Sequence, residues 1–333
     1  MALELSIRIH DGVTAIGAEI WDDLVEGQSP FLEYGFLSTL EETGCVGAEK
    51  GWVPQIITAY RGDHLVGALP FYIKSHSAGE FVFDWSWGEG AMGAGIAYYP
   101  KAVVAVPFTP VTGARLLVRR DPGARRPDRA GISRGTGDGR QIRRALVEAA
   151  IGVAERMRLS SIHFNFLVAE DVEIFEELGL SVRLGIQYHW ENRDESGKPF
   201  EDFDGFLGRF RSKRRANIRR ERRELVNEGV EARVLVGDEI GEEEMHRLYG
   251  YYLSTVHKFY WGHQYLNEDF FMGVWERLRD RLHVVMAYRD GKPFGGAFNL
   301  HKGERLYGRY WGCEEEVPFA HFETCMYRPV QWC

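Results

Sequence analysis

The sequence has few of the features that mark metal-binding, disulfide-bonded or membrane-spanning proteins. Its four cysteines, Cys45, Cys313, Cys325 and Cys333, form no Cys-x-x-Cys pair. This excludes a zinc knuckle and a disulfide scaffold, and it is typical of a reducing cytoplasm. No apolar run approaches the roughly 20 residues of a transmembrane helix, and the N-terminus lacks the basic start of a signal peptide. We therefore expect a cytoplasmic protein.

Several motifs that carry chemistry are also missing. The sequence contains no Walker loop, no G-x-G-x-x-G fingerprint, no Ser/His/Asp nucleophile motif and no metal-ligand cluster. These absences exclude the common nucleotide-binding and triad hydrolase classes. We expect neither a metal site nor a tightly bound cofactor.

What is present is a globular composition with a mild negative charge. The chain has 333 residues, of which 44% are hydrophobic and 13% aromatic, and 41 Lys+Arg against 49 Asp+Glu give a net charge of −8. Such a chain has enough apolar side chains for large cores and enough length for about two domains. The acidity excludes a protein that coats nucleic acid generally, but it permits a local basic face.

Helical and strand-like patterns alternate along the chain, which predicts an α/β fold with mixed sheets. We place a first domain at residues 1–195, with a flexible insertion at 121–140 that is rich in Gly, Arg, Pro and Asp, and a second domain at 200–333. The patterns also predict a strand over 180–190 and one long helix over 203–227.

Two hairpins in the two halves have similar sequences. Ala59-Tyr60-Arg61 and Ala287-Tyr288-Arg289 each precede a Gly-bearing turn and a strand that carries Gly-Ala. A chance likeness between hairpins is the simpler explanation, since any hairpin needs such a turn. The agreement in the surrounding order of elements favours two copies of one fold.

Longer motifs resemble the FemAB-like family of predicted N-acyltransferases, which belongs to the Gcn5-related N-acetyltransferase (GNAT) superfamily. They cover nearly the whole chain apart from the insertion, and they comprise Ser-Pro-Phe-Leu-Glu-Tyr-Gly-Phe at 29–36, Lys-Ser-His-Ser at 74–77 with Glu80, Phe-Asp-Trp at 83–85, Tyr-Tyr-Pro-Lys at 98–101, Pro-Phe-Thr-Pro-Val-Thr-Gly at 107–113, Tyr-Gly-Arg-Tyr-Trp-Gly at 307–312 and His-Phe-Glu-Thr-Cys at 321–325. The resemblance implies two tandem GNAT-like domains and transfer of an acyl or aminoacyl group to an amine, in the cell-wall or peptidoglycan metabolism of bacteria.

Two departures from the family pattern lie at the end of the chain. Family members continue for some tens of residues past the motif at 321–325, so the second domain is expected to be truncated at Cys333. Pro329 is also expected to break the helix that begins near His321, because a proline inside a helix lacks the N–H and clashes with the preceding turn.

The resemblance implies an activated donor that carries phosphate, either acyl-CoA or aminoacyl-tRNA, as a co-substrate. A coenzyme A cradle needs backbone N–H groups at a strand-to-helix turn. The turn at 109–115 contains Pro110, and the turn at 314–319 has three consecutive acids, so neither turn has the usual pattern. A non-catalytic GNAT-fold module that binds RNA or an anionic envelope precursor stays open as the alternative, as does peripheral contact with such precursors.

The first domain has one group of candidate site residues. Asp84 lies between Phe83 and Trp85, and we expect this apolar setting to raise the pKa of its carboxyl and to suit a general base. The residues expected to bind substrate around it are Lys74, His76, Trp85, Tyr98, Tyr99 and Lys101. A structural role as satisfied buried polar groups is the more common explanation for each residue alone.

The second domain has another group, on a central strand and the helix that follows. Strand alternation sends Arg309 and Trp311 to one face and Tyr310 to the other. Arg309, His321 and Glu323 are candidate catalytic residues, with Tyr310 and Trp311 as substrate contacts. A buried Arg–Glu structural pair is the alternative.

The most unusual segment is basic. Residues 209–223 carry nine Lys or Arg and one acid, Glu221. Like charges on a helix repel one another, so this segregation indicates an anionic partner. We assign phosphate or anion binding to Arg211, Lys213, Arg214, Arg215 and Arg219. The alternative is a solvated face that nearby acids neutralise.

Overall fold

In the computed structural model, which describes residues 4–119, 137–258, 260 and 262–333, the chain forms two compact units, Met1–Leu184 and Gly185–Cys333. Residues 121–136 of the predicted insertion lie outside the described residues, and 137–140 form the first turn of a helix. No helix in the described ranges is both long and apolar enough to cross a bilayer.

In its described residues, the first unit combines two four-stranded sheets with five α-helices. Its elements are β1 (Leu5–His10), α1 (Ala18–Leu24), α2 (Tyr34–Glu42), β2 (Trp52–Pro54), β3 (Ile56–Arg61), β4 (His64–Leu69), β5 (Phe71–Lys74), α3 (Trp85–Gly93), β6 (Lys101–Val104), β7 (Leu117–Val118), α4 (Gly137–Arg156), β8 (Ile162–Phe164) and α5 (Ala169–Glu177). One sheet has the order β1-β3-β4-β7 and is antiparallel, and the other has the order β2-β5-β6-β8 with a parallel β6–β8 pair. The amphipathic helix α4 buries Leu146 and Ala150 in the core that these sheets share with α5.

The second unit is built on one antiparallel sheet. Its elements are α6 (Phe203–Gly208), α7 (Ser212–Asn227), β9 (Val230–Val236), α8 (Glu242–Lys258), α9 (Glu268–Leu278), β10 (Leu282–Arg289), β11 (Lys292–Lys302), β12 (Arg305–Cys313), α10 (Ala320–Phe322), a π-helical turn (Glu323–Tyr327) and α11 (Arg328–Trp332). The strand order is β12-β11-β10-β9. Helix α8 crosses β12 so closely that a Cβ on Gly312 would lie 1.7 Å from the Tyr251 carbonyl oxygen, so this position requires glycine.

The two similar hairpins have the same register. Ala59 pairs with Gly67 in β3–β4, and Ala287 pairs with Gly295 in β10–β11. In both hairpins the register then shifts by one residue, directly before the tyrosine. A shared bulge at the same sequence position is more than any hairpin requires, so the likeness between the halves extends to the backbone.

Three local predictions were wrong. The strand predicted at 180–190 is absent: the segment has no regular structure, and Leu184 and Tyr188 are more than 90% exposed. The long helix predicted at 203–227 breaks into α6 and α7 because Phe210 turns toward Phe206, and the Arg215 guanidinium satisfies the Phe210 carbonyl at 2.7 Å.

The predicted break at Pro329 is also wrong, because the helical segment continues to Trp332. The π-helical turn directly before α11 changes the hydrogen-bond spacing from four residues to five, which leaves room for the proline ring in the first turn of α11. The Thr324 hydroxyl donates to the Ala320 carbonyl oxygen at 2.8 Å and helps to satisfy the widened turn.

Candidate functional sites in the two units

The first unit contains a buried polar cluster centred on Lys101, the first residue of β6. The Lys101 ammonium donates to Ser77 Oγ at 3.0 Å and to Glu80 Oε2 at 3.0 Å, and it forms a short ion pair with Asp84. The Tyr98 hydroxyl donates to Asp84 Oδ2 at 2.7 Å. We call these five residues the Lys101 cluster. Lys101, Glu80 and Asp84 are each at most 2% exposed.

Strand pairing and two loops bring this cluster together. Lys101 pairs in register with Lys74 at the end of β5, while Asp84 precedes α3 as its N-cap residue. The Lys74 ammonium lies 3.9 Å from the centre of the Trp52 ring and donates to the Ala78 carbonyl oxygen at 3.0 Å. Together with Lys74, the Lys101 cluster therefore places two lysines and two carboxylates in one buried region.

The electrostatics differ from the expectation for Asp84. Burial favours a raised pKa for Asp84, but hydrogen bonds from Lys101, Tyr98 and Ser77 outweigh burial and hold that pKa below its usual value. Burial instead raises the pKa of Glu80 to about 7, against the influence of Lys101. Burial also lowers the pKa of Lys74 to about 7. The carboxyl group suited to proton exchange near neutral pH is thus Glu80 and not Asp84.

A set of potential metal ligands coincides with this cluster. Glu80, Asp84 and His163 each place one ligand atom within 4.8 Å of the others, and Glu80 Oε1 and Asp84 Oδ1 are buried without a hydrogen-bond partner in the described residues. The Lys101 ammonium already occupies the other oxygens of the same carboxylates. Together with Lys74 it balances their charge, so a divalent ion would bring two uncompensated positive charges into a buried site. We assign no metal here.

The other predicted residues of this unit lie around the cluster. Tyr99 Oη lies 2.6 Å from Ser77 Oγ, which extends the hydrogen-bonded chain toward a half-buried residue. His76 contacts the Lys50 carbonyl oxygen and the Ala78 N–H, so it organises its own loop. Trp85 is 47% exposed on α3. Ser77 and His163 lie outside the residues that sequence reasoning assigns to a site.

In the second unit, the basic segment forms α7 and the residues just before it. Ile218, Glu221 and Leu225 are buried on one side of this helix. The opposite side, which we call the basic face, exposes Lys213, Arg219, Arg220 and Arg223. At 1.5 Å per residue, Lys213 and Arg223 lie about 15 Å apart along the axis.

The charges of α7 are only partly neutralised. Arg219 pairs with Asp204 at 2.7 Å, Arg220 with Glu224 at 3.5 Å and Arg214 with Glu221 at 3.6 Å. The Arg215 guanidinium donates a hydrogen bond to the Phe210 carbonyl oxygen. Among the described residues no ion pair forms at three of the exposed cations, Arg211, Lys213 and Arg223. Surface pairs of this kind contribute little and exchange readily for an anionic ligand.

The inner side of α7 is clamped to the C-terminal helical segment. Tyr327 Oη donates to Glu221 Oε2 at 2.6 Å. Arg222 makes a bidentate pair with Glu323, both bonds 2.9 Å, and Arg328 Nε lies 2.9 Å from Glu323 Oε1. Glu323 is therefore a buried anchor for two arginines, and its partners differ from the predicted Arg309.

Arg309 lies at a β-bulge in β12. The register with β11 runs from the Phe298–Tyr310 pair to the Asn299–Gly308 pair, which leaves Arg309 without an opposite residue. Its guanidinium donates to Tyr310 Oη at 3.0 Å. A bulge bends its strand and interrupts the alternation of side chains, so strict alternation does not fix the face of Arg309 relative to Trp311.

His321 lies beside Trp311, with ring centroids 5.7 Å apart. Partial burial lowers the pKa of His321, so its imidazole is neutral at pH 7. Tyr310 packs among the aromatic residues Tyr252, Phe271 and Phe298. Of the predicted group in this unit, the geometry brings His321 to Trp311 and Arg309 to Tyr310, whereas Glu323 joins the clamp on α7.

The two strand-to-helix turns also differ. At 109–115, the fully buried Arg115 donates to the Val111 carbonyl oxygen at 2.8 Å, so its guanidinium binds the backbone of the same turn. At 314–319, Glu315 pairs with Arg289 and Glu316 pairs with Lys258. These pairs reduce the negative charge that the sequence places at the second turn.

The chain resembles known proteins in sequence and in fold. The model of the FemAB-like family, described as peptidoglycan biosynthesis/recognition, matches residues 12–333. A crystal structure of FemX is 11% identical, over 99% of this chain and 86% of that chain, with a TM-score of 0.51. A tandem GNAT protein from the clavulanic acid biosynthesis pathway is 13% identical over 99% of this chain and 85% of that chain, with a TM-score of 0.42. A search of curated proteins gives no match.

The family match confirms the resemblance drawn from the motifs, and the likeness to FemX agrees with the predicted α/β fold with mixed sheets. The identity to FemX is low, so that likeness shows the fold alone.

Proposed function

Because the chain belongs to the FemAB-like family, we propose that it is an N-acyltransferase that moves an aminoacyl group from an aminoacyl-tRNA to an amine, with acyl-CoA as the alternative donor. The observation that carries the choice of donor is the basic face of α7. Its cations extend over about 15 Å, whereas a single pyrophosphate needs only two or three adjacent cations. Successive phosphates of an RNA backbone match the longer row.

The same fold offers the remaining requirements of acyl transfer in its second unit. The attacking amine must lose a proton, and His321 is neutral and solvent-accessible beside Trp311. We propose that Arg309, at the bulge of β12, is the cation that stabilises the developing oxyanion. We assign the base to His321 and charge stabilisation to Arg309, with Tyr310 and Trp311 as substrate contacts.

Asp84 and Glu323 have different roles in this proposal. Each is a buried carboxylate held by cations, Asp84 by Lys101 and Glu323 by Arg222 and Arg328. The lowered pKa of Asp84 makes its carboxylate a poor proton acceptor, and both carboxylate oxygens of Glu323 are occupied by hydrogen bonds from Arg222. We propose that Glu323 positions α7 and that Asp84 fixes the loop before α3, while Lys74, His76, Trp85, Tyr98, Tyr99 and Lys101 form or support a separate contact surface for the acceptor.

The family description suggests the acceptor class. We propose a peptidoglycan precursor with a free amine, because this acceptor is consistent with a family described as peptidoglycan biosynthesis/recognition. A tRNA donor places the reaction in the cytoplasm. A FemAB-like chain that binds these anions without transfer is the second candidate. The turns at 109–115 and 314–319 support it, because neither has the usual turn pattern that binds coenzyme A.

The test compares donors on the full chain. Binding of aminoacyl-tRNA, of uncharged tRNA and of acetyl-CoA is measured at several salt concentrations. If four phosphates are contacted, tRNA affinity falls by about 100-fold between 50 and 200 mM salt, while acetyl-CoA gives a weaker and flatter dependence. Transfer of a radiolabelled aminoacyl group to a peptidoglycan precursor then separates an enzyme from a binding module.

Two outcomes would reject the proposal. Tight acetyl-CoA binding with no salt-dependent tRNA binding would replace the donor. Loss of transfer in a His321→Gln variant, at unchanged KM, is expected for the base, and normal kcat with an unchanged pH profile would remove that assignment.

A further inference from the structure

The C-terminal helical segment of the second unit has an inverted pattern of burial. Its inward side carries the polar residues Glu323 and Thr324, which are 6% and 0% exposed, whereas Phe322 and Met326 are 40% and 49% exposed. Apolar side chains normally occupy the buried side of a surface helix. Phe322 and Met326 lie about one turn apart, so they form one exposed apolar strip that the core of this unit does not explain.

The orientation of this strip is fixed by the structure behind it. Glu323–Tyr327 form the π-helical turn, and such turns are rare and occur frequently at functional sites. On the inward side, Glu323 is held by two hydrogen bonds from Arg222, and the Tyr327 hydroxyl donates to Glu221 of α7. The clamp on α7 therefore keeps the polar residues inside and the apolar strip outside.

The strip lies between the proposed base and a cation of α7. The Phe322 ring centroid is 5.6 Å from that of His321 and 6.4 Å from that of Tyr327, with the Phe322 and Tyr327 rings tilted by only 29°. Tyr327 Oη donates to Glu221 Oε2 at 2.6 Å, and the half-exposed Arg214 lies 3.6 Å from Glu221 Oε1. A continuous path thus runs from Arg214 past the Tyr327 and Phe322 rings to His321.

This combination of groups suits a nucleobase. Proteins that bind unpaired nucleotides place cations along the phosphates and aromatic side chains where successive bases can stack. Phe322 supplies the aromatic ring, and the polarisable thioether of Met326 adds a soft apolar contact beside it. Arg214 and the basic face of α7 supply the cations in the same unit.

We propose that Phe322 and Met326 form a stacking site for the unpaired nucleobase next to the transferred group, the 3′-terminal adenine of an aminoacyl-tRNA. In this donor a single ribose separates the base from the ester, which suits a base site beside His321. In acyl-CoA the whole pantetheine arm separates the adenine from the thioester, so an adenine on Phe322 would hold the acyl group away from His321. The inference rests on the proposed function and narrows its donor.

The test is a titration of the full chain with two unacylated RNA hairpins. One ends in a single-stranded 3′-ACCA, and the other is identical except that its terminal nucleotide is abasic. Fluorescence anisotropy should show that loss of the base weakens binding by at least about fivefold, the size expected for stacking of one base. The ratio of the two affinities should not depend on salt, because both hairpins carry the same phosphates.

Substitutions at Phe322 assign the effect to its ring. Phe322→Ala should bind the intact hairpin as weakly as the parent chain binds the abasic one, and its affinity for the abasic hairpin should be unchanged. Phe322→Leu, which is apolar without an aromatic face, should lose the same factor, whereas Phe322→Tyr should retain it. The melting temperature should change little, because Phe322 is exposed.

The matched control is Phe83→Ala, which removes an exposed phenylalanine from the first unit and should leave the affinity for both hairpins unchanged. If the hairpins bind with a steep salt dependence but with equal affinity, or if Phe322→Ala or Phe322→Leu binds the intact hairpin as the parent chain does, the base site is rejected and the proposed donor stands.

Two other outcomes concern the donor itself. If neither hairpin binds, the proposed donor is rejected and the base site with it. If Phe322→Ala weakens acetyl-CoA binding and leaves hairpin binding unchanged, the stacked base belongs to coenzyme A, and the placement of the transferred group beside His321 is overturned.

Discussion

The cations of the two units have opposite environments. In the first unit, Lys101 and Lys74 are completely buried, and carboxylates or backbone oxygens surround their ammonium groups. In the second unit, the basic face of α7 is exposed, and its ion pairs are few and open to solvent. Both regions have charged residues at unusual positions in the sequence. Of the two, only the basic face of α7 exposes cations that have no ion-pair partner among the described residues.

This difference separates structural charge from ligand-binding charge. In a buried ion pair, each charge is compensated by its partner and not by water. Removing one partner leaves an uncompensated buried charge, which destabilises the fold. An exposed cation without a partner makes little contribution to stability, but it can release counterions when a phosphate binds. We therefore expect mutations in the Lys101 cluster to change stability and mutations on the basic face to change affinity.

The largest expected effect is the loss of Lys101. In Lys101→Met, the carboxylates of Glu80 and Asp84 remain buried without their shared cation, and we expect the free energy of unfolding to fall by about 3–5 kcal/mol. Urea unfolding curves measure this loss, with tRNA affinity as the second readout, which should stay constant in the folded fraction.

A second variant, without the buried charges, keeps the test informative if Lys101→Met fails to fold. Lys101→Met combined with Glu80→Gln and Asp84→Asn removes the buried charges together and should recover most of the lost stability. If the triple variant is no more stable than Lys101→Met, the damage comes from packing, and the contrast between the two units is weakened.

The second effect concerns affinity. Charge reversal of the basic face by Lys213→Glu, Arg220→Glu and Arg223→Glu should reduce tRNA binding by at least about 100-fold at low salt, because several phosphate contacts are replaced by repulsion. The melting temperature should change little, since these side chains are exposed. Binding at low and at high salt, together with thermal unfolding, measures both quantities.

The matched control reverses an exposed lysine elsewhere in the same unit. Lys292→Glu lies in the β10–β11 hairpin and changes the net charge without touching α7. If this variant lost as much affinity per charge as the triple variant, the total charge of the chain and not the basic face would govern binding.

The fold could be predicted from the sequence where local patterns agree with tertiary packing. The paired hairpins at 59–68 and 287–297 follow directly from turn residues and alternation. The apolar alternation at 180–190 gave a wrong prediction because a strand also needs a neighbour, and periodicity does not show whether one exists. The α6–α7 break involves the packing of Phe210 against Phe206 and the bond from Arg215 to the Phe210 carbonyl oxygen, which no sequence pattern reveals.

The candidate sites divide in the same way. Residue type and clustering were sufficient to select Lys74, Asp84, Tyr98 and Lys101, which the structure brings into one region. The direction of a pKa shift was not predictable, because Asp84 and Glu80 have similar neighbours in sequence but differ in the hydrogen bonds that they receive. Glu323 shows the same limit, since its partner Arg222 lies 101 residues away in the chain.

The third effect is a dependence of stability on pH, which arises from the raised pKa of Glu80 in the Lys101 cluster. Burial raises the pKa of Glu80 from 4.5 to about 7, so between these values the folded chain holds a proton that the unfolded chain has released. Stability must therefore fall as pH rises from 5 to 7, by up to about 2 kcal/mol for this residue. Lys74, whose pKa is lowered to about 7, stays protonated in both states over most of this window.

The comparison variant is Glu80→Gln, which cannot titrate. The parent chain should therefore lose stability relative to this variant as the pH rises from 5 to 7, by up to about 2 kcal/mol. A constant difference across the window would mean that Glu80 titrates normally and that the cluster does not perturb it.

The smallest expected effect is a change in tRNA affinity when one ion pair of α7 is removed. Asp204 is a carboxylate partner of Arg219, at 2.7 Å and in an exposed position, so it competes with any anion for that guanidinium. Asp204→Asn should therefore strengthen tRNA binding by about two- to threefold at low salt, the size expected for a surface ion pair, and the gain should vanish at high salt because exposed charges are screened. A decrease in affinity would show that Asp204 orients Arg219 for the ligand. In that case the ion pairs of α7 would be part of the binding surface, and the distinction between satisfied and available charge would have to be drawn residue by residue along this helix.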